Sequence, residues 1–473
     1  MLRSTTGALS RATKRSPSAL SHLLQHSTRG FASSTAWEKQ RLVILGSGWG
    51  GYEVLRKVDK NRYDVTVVSP SSHFAFTPLL AGAAVGTIEY DCAIEPVRAY
   101  NNISYYQAWA DQIDIKRNKI TCMPAIGGST TSEEPRNLPG SEKSFEVGYD
   151  KLVIAVGAYS QTFGTPGVKE FGTFLKETKD ARKIRARILE CFELAAQPTL
   201  TDVQRRNILS FCIVGGGPTG TEFAGELSDF ITTDLTRAFP TLAPLARITI
   251  YDVAPGILGS FDKSLQEYAE KKFDREGIKV KGNHHVKEVK EDHLIIEEEG
   301  KVPFGLLVWS TGLAPNPLIE SLQDLQHDEK THSLKVDNFF NPIGTDGTTK
   351  RDIFVIGDAS SLDAKLPATA QVASQEAAFL SKHLNSLAKD RPIDPEAGFE
   401  FNNRGAMAYL GGWTALVDRS SASHGPKGEL SGRAAWLLWR SAYWSQAMSI
   451  RNKMLLAFYW FMTWLSGRRI TRV

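Results

Sequence analysis

Acidic side chains are missing from both ends of this chain. Residues 1–37 hold Arg3, Arg11, Lys14, Arg15 and Arg29 with no Asp or Glu, and residues 430–473 hold six Arg and one Lys with none. The net charge of +4 therefore averages unlike parts: without the two ends, 44 basic side chains face 52 acidic ones. A mildly acidic body with two basic ends argues against nucleic acid as a partner. Cysteine is scarce too. Cys92, Cys122, Cys191 and Cys212 stand far apart with no C-x-x-C or C-x4-C pair, which speaks against a structural zinc site and a redox-active dithiol and for four buried thiols. No metal site is expected, and the D-x-[DN]-x-[DN]-G pattern of a calcium loop is missing. No run of 18 or more consecutive apolar residues occurs, so no segment is long enough to cross a bilayer and proton pumping has no support.

What is present is the composition of a globular protein, 42% hydrophobic and 23% charged, on 473 residues, enough for two or three domains. The first 37 residues are rich in Arg and Ser with interspersed Leu2, Leu9, Leu20, Leu23 and Leu24, the pattern of a mitochondrial transit peptide processed near Gly30-Phe31-Ala32; a disordered tail is the alternative.

The apolar run Leu42-Val43-Ile44-Leu45 enters Gly46-Ser47-Gly48-Trp49-Gly50-Gly51, a G-x-G-x-x-G loop between a strand and a helix continuing to Val58. In a dinucleotide-binding unit Gly46 permits the tight turn, Gly48 lets backbone reach a pyrophosphate, and Gly51 allows helix and strand to pack closely. Such turns also arise where only chain geometry needs them. The second strand, from Tyr63, ends in Ser69 where an acid ordinarily holds the adenosine ribose. Phe74 to Gly82 reads as an apolar loop, either a turn under the sheet or a wall for a flat ring system. Glu133 to Ser144 reads as a surface loop, followed by a buried strand from Lys151 to Gly157.

Lys176 to Glu193 has helical spacing and leads to a second loop, Gly215-Gly216-Gly217-Pro218-Thr219-Gly220, again between a strand (Leu209 to Val214) and a helix. Here the next strand, Arg247 to Asp252, does end in an acid, and its distance from Gly220 implies a helix extended through Asp229 to Pro240. A strand from Gly305 to Gly312 closes this unit, and another from Asp352 ends in Gly357-Asp358. Asp358 either caps the following helix or bonds a cofactor's polyol chain.

Five motifs stand in one order: G-S-G-W-G with F-x-F-T-P-L-L, then G-G-G-P-T-G-x-E-x-A-G-E-L at 215–227, S-T-G at 310–312, V-I-G-D at 355–358 and A-Q-V-A-x-Q-E at 370–376. Together they resemble the mitochondrial type II, or alternative, rotenone-insensitive NADH:ubiquinone oxidoreductases, from about residue 41 to the C-terminus. The resemblance implies an α/β fold of two Rossmann-like dinucleotide-binding domains. The FAD domain (41–165 and 336–400) is interrupted by the NADH domain (166–335), and a helical, membrane-associating segment (401–473) follows. FAD would lie along Gly46, Gly48 and Gly51, with Ser69 at its ribose, Ala110 near its adenine, Thr77 and Pro78 near its isoalloxazine, and Asp358 on its ribityl chain. NADH would lie on Gly215, Gly217 and Gly220, with Gly157, Gly312 and Gly357 as further cofactor-binding residues. Asp252, an acid at the ribose 2′-hydroxyl, would favour NADH over NADPH by repelling the 2′-phosphate. Gln371 and Gln375, four apart and so on one helical face, would line the ubiquinone site, although a polar stripe on a surface helix has the same pattern. Glu222 would stabilise nicotinamide or relay a proton; as a first-turn acid favoured by the helix dipole it is equally explained.

The implied activity is non-electrogenic NADH oxidation with ubiquinone reduction at the mitochondrial inner membrane, on a face the sequence leaves open. At the basic end, Trp436, Trp439, Trp444, Trp460 and Trp464 interleave with Arg440, Arg451 and Lys453, and the longest apolar part, Met454 to Leu465, is too short to span. That pattern suits a helix in the headgroup layer of an anionic membrane; a buried C-terminal helix would leave seven positive charges unpaired, and a contact between two copies of the chain is a further use. A rival class is a membrane-tethered, NADH-binding flavoprotein with a signalling role, similar to apoptosis-inducing factor. Sulfide:quinone oxidoreductases and disulfide reductases need cysteines that this chain lacks.

Overall fold

The computed structural model describes residues 39–126, 143–391, 394 and 397–471. The expected transit peptide and nearly all of the Glu133 to Ser144 loop lie outside these residues.

Four sheets of three or more strands organise the described residues. The largest has seven strands in the order Ile353–Val355, Lys151–Ile154, Gln40–Leu45, Tyr63–Ser69, Ile103–Asp114, Lys119–Pro124 and Phe145–Gly148; the first five are parallel and the last two add as an antiparallel edge. Its centre is the Leu42-Val43-Ile44-Leu45 run, at most 1% exposed, as expected of a parallel strand covered on both faces. Helix Trp49–Lys57 follows the first glycine loop and packs on helix Ala370–Leu387 from the far end of the chain. Tyr63 Oη donates to the Leu384 carbonyl (2.8 Å) and Asn385 Oδ1 accepts from Asp59 N (2.8 Å), so chain segments more than 300 residues apart close one layer.

The second sheet is fully parallel, in the order Thr173–Phe174, Leu306–Trp309, Ser210–Val214, Arg247–Tyr251, Ile278–Lys281, with an antiparallel meander over Val286–Val289, His293–Ile296 and Gly300–Pro303 beside it. Helix Pro218–Asp229 runs on through a π-helical turn, Phe230–Leu235, into Thr236–Ala238, which accounts for the long spacing from Gly220 to Asp252. The fourth sheet is a meander of Ala406–Tyr409, Ala415–Asp418 and Glu429–Gly432, followed by helices Arg433–Gln446 and Ile450–Ser466. No helix among the described residues is long and apolar enough to cross a membrane.

Two expectations need correction. The Phe74 to Gly82 stretch is not a loop: it forms strand His73–Ala75, a 3₁₀ turn over Thr77–Leu79 with Pro78 at its start, and helix Leu80–Val85, because Pro78 can open a helical turn whose N–H groups lack partners anyway. The basic end is also not unpaired. Arg468 is buried against Glu226 and Asp234, and Arg440 lies over the rings of Trp436 (4.8 Å) and Trp460 (4.2 Å). Acids from elsewhere in the chain supply what the segment's own composition lacks. The four cysteines are all buried as free thiols.

Candidate functional site

The two glycine loops have one geometry. Gly46 sits at φ +97°, where a Cβ would lie 2.3 Å from the Ala155 carbonyl, and a Cβ on Gly51 would lie 2.0 Å from the Gly46 carbonyl. In the second loop Gly215 sits at φ +112°, a Cβ there would lie 2.7 Å from the Ser310 carbonyl, and one on Gly220 would lie 2.1 Å from the Gly215 carbonyl. The middle glycines differ from these: a Cβ on Gly48 or Gly217 would meet no protein atom within 4 Å, and both have extended backbones (φ −75° and −70°) that any residue adopts. Internal packing therefore requires glycine at the outer positions and leaves the middle ones open beside a helix N-terminus, the room a pyrophosphate needs.

The strand ends diverge. Ser69 is 3% exposed; its hydroxyl shares a hydrogen bond with Ser47 Oγ (2.9 Å) and accepts from Ser71 N (3.3 Å), so it is drawn into the protein. Asp252 is half-buried, and its carboxylate accepts from Gly216 N (2.5 Å) and Ala254 N (2.8 Å), which fixes it beside the second loop. Thr77 Oγ1 accepts from Trp49 Nε1 (3.0 Å), tying the turn with Pro78 to the helix after the first loop. Gly157 has φ +64° and open space where a Cβ would go, whereas Gly312, at φ +70°, is closed in by Gln161 and Phe163. Ala110 lies half-buried in the strand Ile103–Asp114 opposite Cys122, where the register is irregular.

Asp358 is not a helix cap. The helix Ala370–Leu387 is capped by Thr369, whose hydroxyl accepts from Val372 N (3.3 Å), while Asp358 lies in the short turn Gly357–Ala359. Burial raises its pKa, opposed by the Lys176 ammonium, which itself donates to the Ala158 carbonyl and is lowered by burial. Glu376 accepts from Gly357 N (2.5 Å), and burial pushes it up to about 7. Lys176 and Glu376 escaped sequence reasoning; Glu376 closes the A-Q-V-A-x-Q-E motif, but a Glu in a helix of mixed polarity carries no sign of burial.

Gln371 and Gln375 share a face as their spacing requires, and both are already engaged. Gln371 donates to the Gly405 carbonyl (3.2 Å) and accepts from Arg404 N (2.8 Å); Gln375 donates to the Asn402 carbonyl (2.9 Å) and accepts from Asn402 N (3.0 Å). Each carboxamide behaves as a strand would, clamping residues 402–405 to the helix and leaving one N–H each.

Glu222 is a full turn into its helix, so the dipole at the N-terminus does not explain it. Its Oε1 accepts from Tyr409 N (3.1 Å) and Trp439 Nε1 (3.2 Å), both in the C-terminal part of the chain. Burial pushes its pKa up to about 8, against those two hydrogen bonds. A narrow space beside it is bounded by Pro78, Gly82, Glu226, Tyr409, Trp439 and Trp460. Three parts of the chain thus meet at one protonatable carboxyl.

A family model described as pyridine nucleotide-disulphide oxidoreductase matches residues 40–377, and one described as the NDH2 C-terminal domain matches 403–469. A "Probable NADH dehydrogenase" of Dictyostelium discoideum is 39% identical, covering 92% of this chain and 91% of its own length. The "Internal alternative NAD(P)H-ubiquinone oxidoreductase A1, mitochondrial" of Arabidopsis thaliana is 36% identical over 94% of this chain and 88% of its own. The solved structure of NDH2 from Plasmodium falciparum in complex with NADH has the same fold, with a TM-score of 0.81 and 24% identity over 92% of this chain and all of that one. With one family model over both loops, a second over the C-terminal part, and relatives 36–39% identical over more than nine-tenths of the chain, the chain belongs to the type II, or alternative, NADH dehydrogenase family.

Proposed function

We propose that this chain oxidises NADH and reduces ubiquinone through bound FAD, without moving protons across a membrane, in mitochondria. The observation that carries the reading is the meeting of Pro78, Glu222 and Trp439 around one narrow space. When bound, FAD supplies the two-electron relay between a hydride donor and a quinone. The first loop, with Gly48 open, holds the flavin pyrophosphate, and Asp358 and Lys176 stand at its polyol end. The second loop holds NADH, with Asp252 at the ribose. Residues 41–165 with 336–400 serve the flavin and 166–335 serve NADH.

Net turnover is NADH + H⁺ + quinone → NAD⁺ + quinol, so one proton comes from solution. Glu222, neutral over most of the physiological range, holds that proton next to the reacting rings. Gln371 and Gln375 position the chain at 402–405 and present their remaining N–H groups to the quinone.

The C-terminal helices lie on an anionic membrane surface. Leu437, Leu438, Trp444, Ile450, Met454, Phe458, Phe461, Trp464 and Leu465 are 44–78% exposed, an apolar belt too extended for a surface facing only water. On the other side of helix Ile450–Ser466, Asn452 donates to Ile94 O (2.7 Å) and Thr463 to Thr87 O (2.9 Å), so the same helix is anchored inward and apolar outward. With that face on the bilayer, the enzyme is a peripheral protein at the surface where a lipid-soluble quinone enters.

Purified protein should carry flavin by absorbance and oxidise NADH quickly only with ubiquinone added. Slow turnover with quinone would favour a signalling flavoprotein instead. Phe461→Asp with Trp464→Asp should abolish flotation with anionic vesicles while leaving NADH oxidation by a soluble acceptor; retained flotation refutes the membrane face.

A further inference from the structure

Beyond Glu222, the side chains of Glu226, Asp234 and Arg468 are buried and Asp229 is half-buried where the second loop's helix meets the C-terminus, and the activity above does not use them. Glu226 lies one turn after Glu222 on the same helix face, 6% exposed. Its Oε2 accepts from Thr87 Oγ1 (2.5 Å) and Arg468 Nη2 (3.3 Å). Arg468 also donates from Nη1 to Asp234 Oδ2 (2.9 Å), and its backbone N–H donates to Asp234 Oδ1 (3.0 Å). Asp229, further along the helix, accepts from Tyr409 Oη (2.7 Å). From helix Arg433–Gln446 the Arg440 charge faces Glu226 and Tyr409. Arg468 sits among three acids because the π-helical turn Phe230–Leu235 swings Asp234 back onto the face that carries Glu226.

Two spaces flank Glu226. The narrow one, with room for about one water, reaches Glu222. A larger cavity of about 520 Å³ adjoins it, sharing Thr87, Tyr409, Trp439 and Trp460 as well as Glu226, with exposed Thr232, Arg237 and Glu276 on its rim. Glu226 lines both, and Glu222 lines only the inner one. Among the described residues the second oxygen of each carboxyl has no hydrogen-bond partner, which leaves it for a water in the inner space.

We propose that Glu226 carries the solvent proton of each turnover from the outer cavity, through one water in the inner space, to Glu222, and that Arg468 docks beside it to keep it able to lose that proton. Resting on the reading of Glu222 as the acid for quinone reduction, the step is proton transfer only: Glu226 gives a proton to the inner water as that water gives one to Glu222, and Glu226 is reloaded from the outer cavity. The electrons follow the nicotinamide-to-quinone route unaltered. Burial raises the pKa of Glu226 while the Arg468 charge lowers it, the balance a relay needs.

The test uses the full chain with flavin bound. Glu226→Gln should lower the ratio of ubiquinone to ferricyanide turnover about tenfold or more, ferricyanide taking electrons without a proton. It should also raise the solvent deuterium isotope effect on quinone turnover, which lost packing alone would not do. An unchanged ratio and isotope effect overturn the relay. Glu222→Gln is the second arm: if it leaves quinone turnover intact, the reading beneath the proposal fails, whereas a slow Glu222→Gln with a normal Glu226→Gln overturns only the relay. Should the single variant not fold, because Arg468 has lost a counter-charge, the charge-balanced pair Glu226→Gln with Arg468→Gln carries the same readouts.

Discussion

In the first loop Gly46 is pressed against Ala155 and Gly51 against Gly46; in the second Gly215 is pressed against Ser310 and Gly220 against Gly215. Two residues after each last glycine stands a buried glutamate, Glu53 and Glu222. There the likeness ends. Glu53 bonds Arg56 (2.8 Å) and Lys57 (2.8 Å), and although burial pulls its pKa up, these cations hold it below the usual value. Glu222 has no cation and is pushed up by burial to about 8. The strand ends part in the same way, Ser69 turned inward onto Ser47 and Asp252 fixed beside its loop. One backbone device thus serves two halves, and the chemistry of each half is set by partners that the loop does not contain.

The sharpest way to break this comparison is to add one methyl group. Gly51→Ala and Gly220→Ala force a Cβ to about 2 Å from a carbonyl oxygen, so each should cost ~4 kcal/mol or more and yield little folded protein, measured as soluble yield and thermal unfolding. The middle glycines should behave in the opposite way. Gly48→Val folds but emerges without flavin, while Gly217→Val keeps flavin and raises KM for NADH by about two orders of magnitude, ~3 kcal/mol of phosphate binding. If Gly48→Val retains its flavin, the assignment of the two loops is reversed or wrong.

Asp252→Asn should shift the ratio of kcat/KM for NADH to that for NADPH by about tenfold toward NADPH, since the like-charge repulsion is gone. Glu222→Gln separates the two glutamates by pH. The folded pKa of Glu222 lies above the ordinary 4.5, so its contribution to stability is full below 4.5 and lost as pH rises to about 8. The variant should therefore gain melting temperature relative to wild type across that window, whereas Glu53→Gln should lose most at neutral pH, where its ionised partner contacts are complete. The smallest effect is Ser69→Ala, ~1 kcal/mol of stability from the lost Ser47 bond with flavin content unchanged. A drop in flavin would put the Ser69 hydroxyl on the ribose after all.

The two loops, their strands and the Asp252 end were readable in sequence because each depends on local rules: glycine where no Cβ fits, β-branched runs where both faces are covered, an acid at a strand end. For Thr77, Pro78 and Asp358 local residues left a structural and a cofactor role open, and only the family motifs favoured the second. Gln371 and Gln375 were found by motif, but their engagement with residues 402–405 was not, because a helical face records spacing and nothing about the backbone that arrives opposite it. Arg468 shows the same limit from the other side. Counted along the chain it is one of seven unpaired cations; folded, it is held by Glu226 and Asp234.

The sequence by itself determined where backbone must bend tightly, which strands are buried and that no apolar run reaches the length of a membrane span, since these follow from side-chain volume and polarity within a few residues. Tertiary structure decided which carboxyls are protonated. A pKa answers to desolvation, hydrogen bonds and the nearest charges; for Glu222 the two hydrogen bonds that oppose burial come from Tyr409 and Trp439, 187 and 217 residues away in the chain.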